Sequence, residues 1–132
     1  AFLLNRSSDL VAADVADLAS YLGLARAALA PMSSGSGVPL KVLEAMAAGL
    51  PIVAARAGAV PEVAPHGEVS LLVRPDDSDA LAAALRQLAD SPDQRRQFGA
   101  EGMRRWPAYD WRLVADRFLA ACLPDSDTTV PR

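Results

Sequence analysis

Three short apolar runs, separated by helix-like segments, constrain the fold of this chain most strongly. They are mainly apolar rather than alternating, with Arg26 and Ser70 as the polar exceptions, and turn residues bound them; they occupy residues 26–32, 51–55 and 69–73. Short apolar strands separated by helices are typical of a parallel sheet that is covered on both faces. We therefore predict an α/β fold with three layers, in which helices lie on both faces of a parallel sheet.

Cap and breaker residues place the helices around these runs. Residues that favour helix N-termini precede the periodic segments, and glycines follow two of these segments. The predicted starts are Asp14, Pro39, Asp77, Ser91-Pro92 and Asp110. The predicted ends are Gly23 and Gly49. Residues 1–4 read as a further buried strand without its beginning. We expect the chain to be a piece of a longer protein, with a partial domain over residues 1–122 and a disordered tail over residues 123–132.

Composition excludes several classes of function. The chain has 132 residues and a net charge of −3, which argues against nucleic acid as the main partner because binding to the phosphate backbone needs a basic surface. It has one histidine, His66, and one cysteine, Cys122, so it cannot form a disulfide within the chain or a site built from several of these residues. No apolar run approaches the length of a membrane span, and we expect a cytoplasmic location.

The loop "SSGSG", residues 33–37, leads directly from a predicted strand into a helix. In parallel sheets, ligands bind beyond the carboxyl ends of the strands, where small residues and free helix amides suit phosphate. The loop is neither a P-loop nor a dinucleotide-binding glycine motif, since Lys41 follows Gly37 by four positions and Leu40 replaces the third glycine. A surface turn and a phosphate site both remain possible for the loop alone.

The helix after the loop carries two charged residues, Lys41 and Glu44. Its predicted apolar arc comprises Pro39, Leu40, Val42, Leu43, Met46 and Ala47, and the remaining arc holds Lys41, Glu44, Ala45 and Ala48. Lys41 and Glu44 are three residues apart, so they can form an exposed ion pair. The absence of other long polar side chains on that arc instead suggests that a ligand lies close to it.

The motifs "PLKVLEAMAAGLPIVA", "GAVPEV", "SLLVRPDDSDALAAAL" and "YDW" occur in this order along the chain. Together they resemble the nucleotide-sugar-binding, C-terminal domain of retaining glycosyltransferases with the GT-B architecture, in glycosyltransferase family 4 (group 1). The resemblance covers roughly residues 12–121. It implies a Rossmann-like domain, in an incomplete C-terminal half, that takes part in transferring a sugar from a nucleotide-sugar such as a UDP- or GDP-sugar.

The resemblance also implies roles for individual residues. Glu44 matches the family's glutamate that binds the ribose hydroxyls, and a carboxylate suits this role because it accepts two hydroxyl hydrogen bonds. The loop and the start of the helix match the segment that contacts the sugar and the diphosphate, here Gly35, Ser36, Gly37, Val38, Pro39 and Leu40. Lys41 either supplies positive charge near the diphosphate or pairs with Glu44. No metal and no other cofactor is implied.

The chain departs from the family pattern in two ways. The family usually has a second glutamate, facing the donor sugar, eight positions before the first; Ser36 stands there and carries no charge to stabilise a cationic transition state. We also expect the acceptor-binding N-terminal domain, together with any membrane contact that it makes, to lie outside this chain, and so we expect no catalysis by this chain alone. The alternative is a non-catalytic module that binds a nucleotide-sugar or phosphate.

Other candidate residues have structural interpretations. Asp76, Asp77 and Asp79 are better explained by capping of a helix than by a metal site. Glu62, His66 and Glu68 fit a solvated turn better than an acid–base site. We expect Trp106 and Trp111 to pack against the terminal helix.

Overall fold

The structure, a computed structural model, describes residues 3–5, 8–10, 15–35, 37 and 39–123. The strands are β1 (Leu3–Asn5), β2 (Ser8–Leu10), β3 (Ala28–Ala30), β4 (Ile52–Ala55) and β5 (Ser70–Val73). The helices are α1 (Leu18–Leu24), α2 (Leu40–Ala47), α3 (Val60–Val63), α4 (Ser78–Asp90), α5 (Pro92–Arg105) and α6 (Trp111–Cys122), with a 3-10 helix at Trp106–Tyr109 before α6.

The central sheet consists of β3, β4 and β5 in that order, and all of its strands are parallel. Ala30 lies opposite Ala54, and Ala55 lies opposite Val73, so the carboxyl ends of the strands meet at one edge. A parallel pair needs a crossover connection, and α2 provides it between β3 and β4. The predicted parallel sheet, with helices on both faces, is confirmed.

The strand predicted at residues 1–4 does not belong to this sheet. Within the described residues, β1 pairs antiparallel with β2, and Leu3 lies opposite Leu10. Two residues separate the strands, and such a short connection joins only antiparallel neighbours because a parallel pair needs a crossover. A strand is thus present at residues 3–5, but it pairs with β2 and does not extend the parallel sheet.

The sheet divides the apolar core into two layers. Ile52 and Ala54 face one side of β4 and Val53 faces the other, as expected for a strand. The first layer holds residues of α2, α3 and the strands, among them Val42, Met46, Ile52, Val60 and Leu72. The second holds residues of α4, α5 and the strands, namely Val53, Leu71, Ala84, Leu88 and Phe98. Burial of both faces explains why the strands are apolar except for Ser70, whose hydroxyl donates a hydrogen bond to the carbonyl oxygen of Ala64 at 2.6 Å.

Most predicted helix boundaries are confirmed. The side chain of Asp77 accepts a hydrogen bond from the amide of Ala80 at 2.8 Å, and Ser91 and Asp110 cap α5 and α6 in the same manner. The start of α1 differs, since its N-cap is Asp17; Asp14, the predicted cap, lies outside the described residues. Gly23 lies within α1 rather than at its end. The predicted tail falls almost wholly on residues 124–132, which also lie outside the residues that the structure describes.

Glycines let α5 pack closely against α2 and the turn that ends it. Gly49 has a φ of 68°, as is common for the residue that ends a helix. A Cβ built on Gly99 would lie 2.1 Å from the carbonyl oxygen of Gly49, and one on Gly102 would lie 3.5 Å from the Cα of Met46. Helix α5 therefore fixes the C-terminal end of α2 through backbone contact.

The two tryptophans differ in their surroundings. Trp106 is partly buried and packs, but its contact is with the first core layer, whereas the prediction placed it against the terminal helix. Trp111 is 79% exposed, so its predicted packing role was wrong. Its helix, α6, has no buried residue and continues from the 3-10 helix rather than covering the sheet. No helix among the described residues is long and apolar enough to cross a membrane.

Acid should weaken a cluster of ion pairs on α5. Hydrogen bonds from Arg104, and then from Arg105, lower the pKa of Glu101 from 4.5 to about 2. Because the pKa is lowered in the folded state, the stabilisation is present above pH 4.5 and is lost as the pH falls towards 2. We expect Glu101→Gln to lose less stability than the wild type over this interval in urea unfolding. Equal losses in both proteins would contradict the assignment, and Glu62→Gln, which alters an exposed glutamate, is the control.

Candidate functional site

The glycine- and serine-rich loop lies at the carboxyl end of β3, where the sequence places it. Ser33, Ser34, Gly35 and Gly37 are all exposed, and Gly37 has a φ of 89°. A residue with a Cβ rarely adopts this conformation, so glycine is needed to turn the chain towards α2. Ser36 and Val38, two of the predicted site residues, lie outside the described residues.

No side chain among the described residues caps the start of helix α2. Its N-cap is Pro39, which has no polar side-chain group, rather than the first helical residue as predicted. The carbonyl oxygen of Pro39 accepts hydrogen bonds from Val42 at 2.9 Å and from Leu43 at 3.3 Å. The amides of Leu40 and Lys41 precede these first bonds of the helix. An uncapped N-terminus carries partial positive charge and amide donors, which is the arrangement that binds phosphate groups.

Lys41 and Glu44 lie exposed on the first turns of α2. Ion pairs among the described residues join Arg96 to Asp93, Arg104 and Arg105 to Glu101, and Arg105 to Glu68. None of them joins Lys41 to Glu44, although their spacing allows it. The structure therefore does not show the pair with Glu44, which is one of the two roles that the sequence leaves open for Lys41; the role near the diphosphate stays a prediction.

The buried face of α2 is displaced from the predicted apolar arc. Its buried residues are Val42, Ala45 and Met46, which follow helical spacing. Leu40 is 66% exposed and Ala47 is also exposed, although both were predicted on the buried arc, and Ala45 was predicted on the other one. The strands and α5 both pack against α2, so the face that is buried depends on tertiary contacts that periodicity does not contain. The exposed Leu40 leaves an apolar surface beside the loop.

Sequence reasoning missed a contact between the loop and the connector that follows β4. A Cβ built on Gly58 would lie 2.6 Å from the carbonyl oxygen of Gly35. The two glycines are 23 positions apart, so only the parallel pairing of β3 and β4 brings them together. The only sequence feature that hints at this contact is a glycine in the connector, and such a glycine is a weak indication of close backbone approach.

Two arginines at the same edge of the sheet as the loop were also not among the residues predicted from the sequence. Arg56 and Arg74 are the first residues after β4 and β5, and both are exposed. The amide of Arg56 donates to the carbonyl oxygen of Val73 at 2.8 Å, so the two arginines leave adjacent strands side by side. Neither forms an ion pair with a described carboxylate. Their position directly after two predicted strands is the sequence feature that could have placed them at this edge.

A shallow depression of about 330 Å³ lies next to Arg74 at the same edge of the sheet, lined by residues 74–79. It includes Asp76, Asp77 and Asp79. Asp77 caps α4, which confirms the capping interpretation for this residue. Among the described residues, no group of three or more histidine, cysteine, aspartate or glutamate side chains has an arrangement that suits a metal ion.

The single histidine, His66, forms a hydrogen bond with the edge strand β5. The Nδ1 atom of His66 accepts a hydrogen bond from the amide of Leu72 in β5 at 2.9 Å. Glu68 pairs with Arg105 of α5, and Glu62 is exposed on α3. These contacts fit the structural interpretation of this segment.

Comparison with known proteins identifies the family. The model of a family described as "Glycosyl transferases group 1" matches residues 7–91, which is most of the chain and includes the loop and α2. This chain belongs to the group 1 glycosyl transferases. The family resemblance predicted from the sequence is therefore confirmed.

The group 1 relatives include several bacterial mannosyltransferases. An MMP alpha-(1->4)-mannosyltransferase of Mycolicibacterium hassiacum is 46% identical over 106 residues, which cover 79% of this chain and 26% of that protein. A GDP-mannose-dependent alpha-(1-6)-phosphatidylinositol monomannoside mannosyltransferase of Mycobacterium tuberculosis is 36% identical over 89 residues, covering 67% of this chain and 22% of that protein. This chain thus spans about a quarter of the length of such relatives.

A solved structure confirms the fold of this group 1 chain. Sucrose-phosphate synthase from Thermosynechococcus elongatus superposes with a TM-score of 0.72 at 31% sequence identity. The match covers 76% of this chain and 25% of the synthase. The Rossmann-like domain of the GT-B architecture, predicted from the motifs, is therefore the fold of this chain.

Proposed function

We propose that this chain is the donor-binding part of a retaining glycosyltransferase and binds a nucleotide-sugar at the loop and the start of α2. One observation carries the proposal: an uncapped helix N-terminus follows a loop of small residues at the carboxyl end of a parallel strand. Amides and partial positive charge at this position suit a diphosphate. One of the relatives is described as GDP-mannose-dependent, which supports a nucleotide-sugar as the ligand.

The exposed side chains of α2 fit the rest of the donor. Glu44 would accept hydrogen bonds from the two ribose hydroxyls, one on each carboxylate oxygen. Lys41, one turn closer to the helix start and unpaired with Glu44, would stand near the diphosphate. Gly35, Ser36, Gly37, Val38 and Pro39 would line the sugar and the diphosphate, and Leu40 would provide an apolar contact. No metal is needed in this arrangement, because Lys41 and the helix amides supply the positive charge.

Catalysis depends on parts of the enzyme beyond this chain. Ser36 stands at the position of the usual sugar-facing acid, and its hydroxyl can bind a sugar hydroxyl but cannot supply a negative charge. Relatives are about four times as long as the matched segment, so we propose that an acceptor-binding domain supplies the other half of the active site. In a radiolabel transfer assay, we expect no turnover from this chain alone. Turnover without another domain would contradict this part of the proposal.

Ser36 also favours a second candidate function. A module that binds a nucleotide-sugar without transferring it would have no need for the sugar-facing acid. Both candidates require donor binding, so a transfer assay on the longest available form of the protein separates them. Transfer supports the enzyme, whereas donor binding without transfer supports the module.

Calorimetric titration of this chain with UDP-, GDP- and ADP-sugars tests the shared claim of donor binding. We expect one of these nucleotide series to bind, and the free nucleoside diphosphate of that series to compete with it. If no nucleotide-sugar and no nucleoside diphosphate binds, the proposed function is wrong for this chain.

Replacing Lys41 should weaken the contact with the diphosphate. We expect Lys41→Gln to bind the nucleoside diphosphate about fivefold more weakly, since an exposed charge pair contributes about 1 kcal/mol. Affinity for the corresponding nucleoside, which has no phosphate, should not change. Calorimetry at two salt concentrations checks the electrostatic origin, because added salt should reduce the difference between wild type and variant.

Arg86→Gln provides the control for net charge, since Arg86 is exposed on α4. Arg86→Gln should leave the affinities for the nucleoside diphosphate and for the nucleoside unchanged. Equal weakening of nucleoside and nucleoside diphosphate binding by Lys41→Gln would refute the diphosphate role of Lys41.

A further inference from the structure

Gly58 touches the proposed donor loop from a different part of the chain. A Cβ at this position would lie 2.6 Å from the carbonyl oxygen and 3.5 Å from the carbonyl carbon of Gly35. A separation below 3.0 Å forces a shift, and here the opposing atoms belong to backbone rather than to a flexible side chain. The present position of the loop therefore requires that residue 58 has no side chain.

The connector that carries Gly58 is held at both ends. At its start, the amide of Arg56 donates to the carbonyl oxygen of Val73, which ties it to β5. At its end, Val60 is buried in the first core layer, and its amide donates to the carbonyl oxygen of Ala57 at 3.2 Å. Gly58 itself has a φ of 54°, which suits glycine. The connector is thus a fixed support beside the loop.

The loop has little packing of its own. Ser33, Ser34, Gly35 and Gly37 are exposed, so burial in the core does not hold them in place. The anchored connector supplies a backbone surface against which Gly35 rests. A displacement of this surface would change the distance between the loop amides and the uncapped start of α2, which together form the proposed diphosphate site.

We propose that Gly58 is a positioning residue for the donor site: the connector after β4, by close backbone contact with Gly35, sets the position of the loop that binds the nucleotide-sugar. The effect on donor binding rests on the proposed function, whereas the contact between Gly58 and Gly35 does not. It assigns a role in donor binding to a residue that need not touch the donor.

Asparagine replacement separates the effect of the Cβ from that of the backbone conformation. Asn tolerates a positive φ better than most residues, so Gly58→Asn mainly adds the clash with Gly35. Gly67→Asn is the matched control, since Gly67 has a φ of 80° and its Cβ would find no atom within 4 Å. In amide NMR spectra without ligand, we expect the signals of Gly35 and Gly37 to move in Gly58→Asn and to stay in place in Gly67→Asn.

Donor affinity gives the functional result. With the nucleotide-sugar that binds best in calorimetry, we expect Gly58→Asn to bind about tenfold more weakly, the equivalent of 1.4 kcal/mol, and Gly67→Asn to bind as the wild type does. A loss of stability alone would not produce this result, because the folded fraction of each variant, measured by thermal unfolding, corrects the affinity for unfolded protein.

The possible outcomes separate the two proposals. Unmoved Gly35 and Gly37 signals, or unchanged donor affinity, in folded Gly58→Asn would overturn the positioning role. In the wild type, a nuclear Overhauser contact between Gly58 and Gly35 tests the same geometry if the variant does not fold, and its absence would also overturn the proposal. If the loop signals move but the wild type binds no nucleotide-sugar, the contact stands and the proposed function fails.

Discussion

Gly99→Ala is expected to lower the free energy of unfolding by about 3 kcal/mol or more, which corresponds to a fall of roughly 10 °C in the melting temperature. The new Cβ would lie 2.1 Å from the carbonyl oxygen of Gly49, so α5 would have to move away from the turn that ends α2. Alanine is otherwise the better helix former by about 1 kcal/mol, and this gain offsets only part of the loss. Thermal and urea unfolding measure the effect.

Two glycine replacements serve as controls for this prediction. Gly102 lies on the same helix, but a Cβ there would make only ordinary contacts at 3.5 Å, so Gly102→Ala should change stability much less. Gly23→Ala in α1 would meet no atom within 4 Å and should stabilise the chain slightly. If Gly99→Ala proves as stable as Gly102→Ala, the close packing of α5 against α2 is wrong.

Glu44→Ala is expected to weaken nucleotide-sugar binding roughly 10- to 150-fold, because hydrogen bonds to a charged group contribute about 1.5 to 3 kcal/mol. The fold should be preserved, since Glu44 is exposed and alanine favours a helix. The loss should be greatest for ligands that carry both ribose hydroxyls. Titration of the variant with a nucleoside diphosphate and with its 2′-deoxy analogue measures this, and the variant should discriminate less between them than the wild type.

Asp90→Asn is the matched control, because it also removes one negative charge but lies at the end of α4, away from the loop. Its affinity for the nucleotide-sugar should equal that of the wild type. Equal affinity of wild type and Glu44→Ala would refute the ribose role of Glu44.

The fold was predictable because its signals are local. Each strand of the sheet lies in a mainly apolar run, and caps such as Asp77 and Asp110 act within three residues of their own position. The strand predicted at residues 1–4 is present at residues 3–5, but its pairing partner could not be predicted in this way. Its apolar residues are compatible with any buried strand, and the choice of partner depends on the length of the connection to the next strand.

The candidate site was predictable only in part. The loop and the exposed positions of Lys41 and Glu44 follow from motif and periodicity, yet the burial of Ala45 and the exposure of Leu40 depend on elements that pack against α2. The approach of Gly58 to Gly35 is a contact between distant residues, set by strand register. Propensity and spacing contain no information about such contacts, so they appear only in the folded chain.

Amide NMR of the wild-type chain during titration with UDP-, GDP- and ADP-sugars tests the central claim most directly, because it reports both binding and its location. The account predicts saturable shifts of the amide signals of Gly35, Gly37, Leu40 and Lys41 with one nucleotide series. No shift with any series would contradict the account, and so would shifts confined to another part of the chain, such as the depression at residues 74–79.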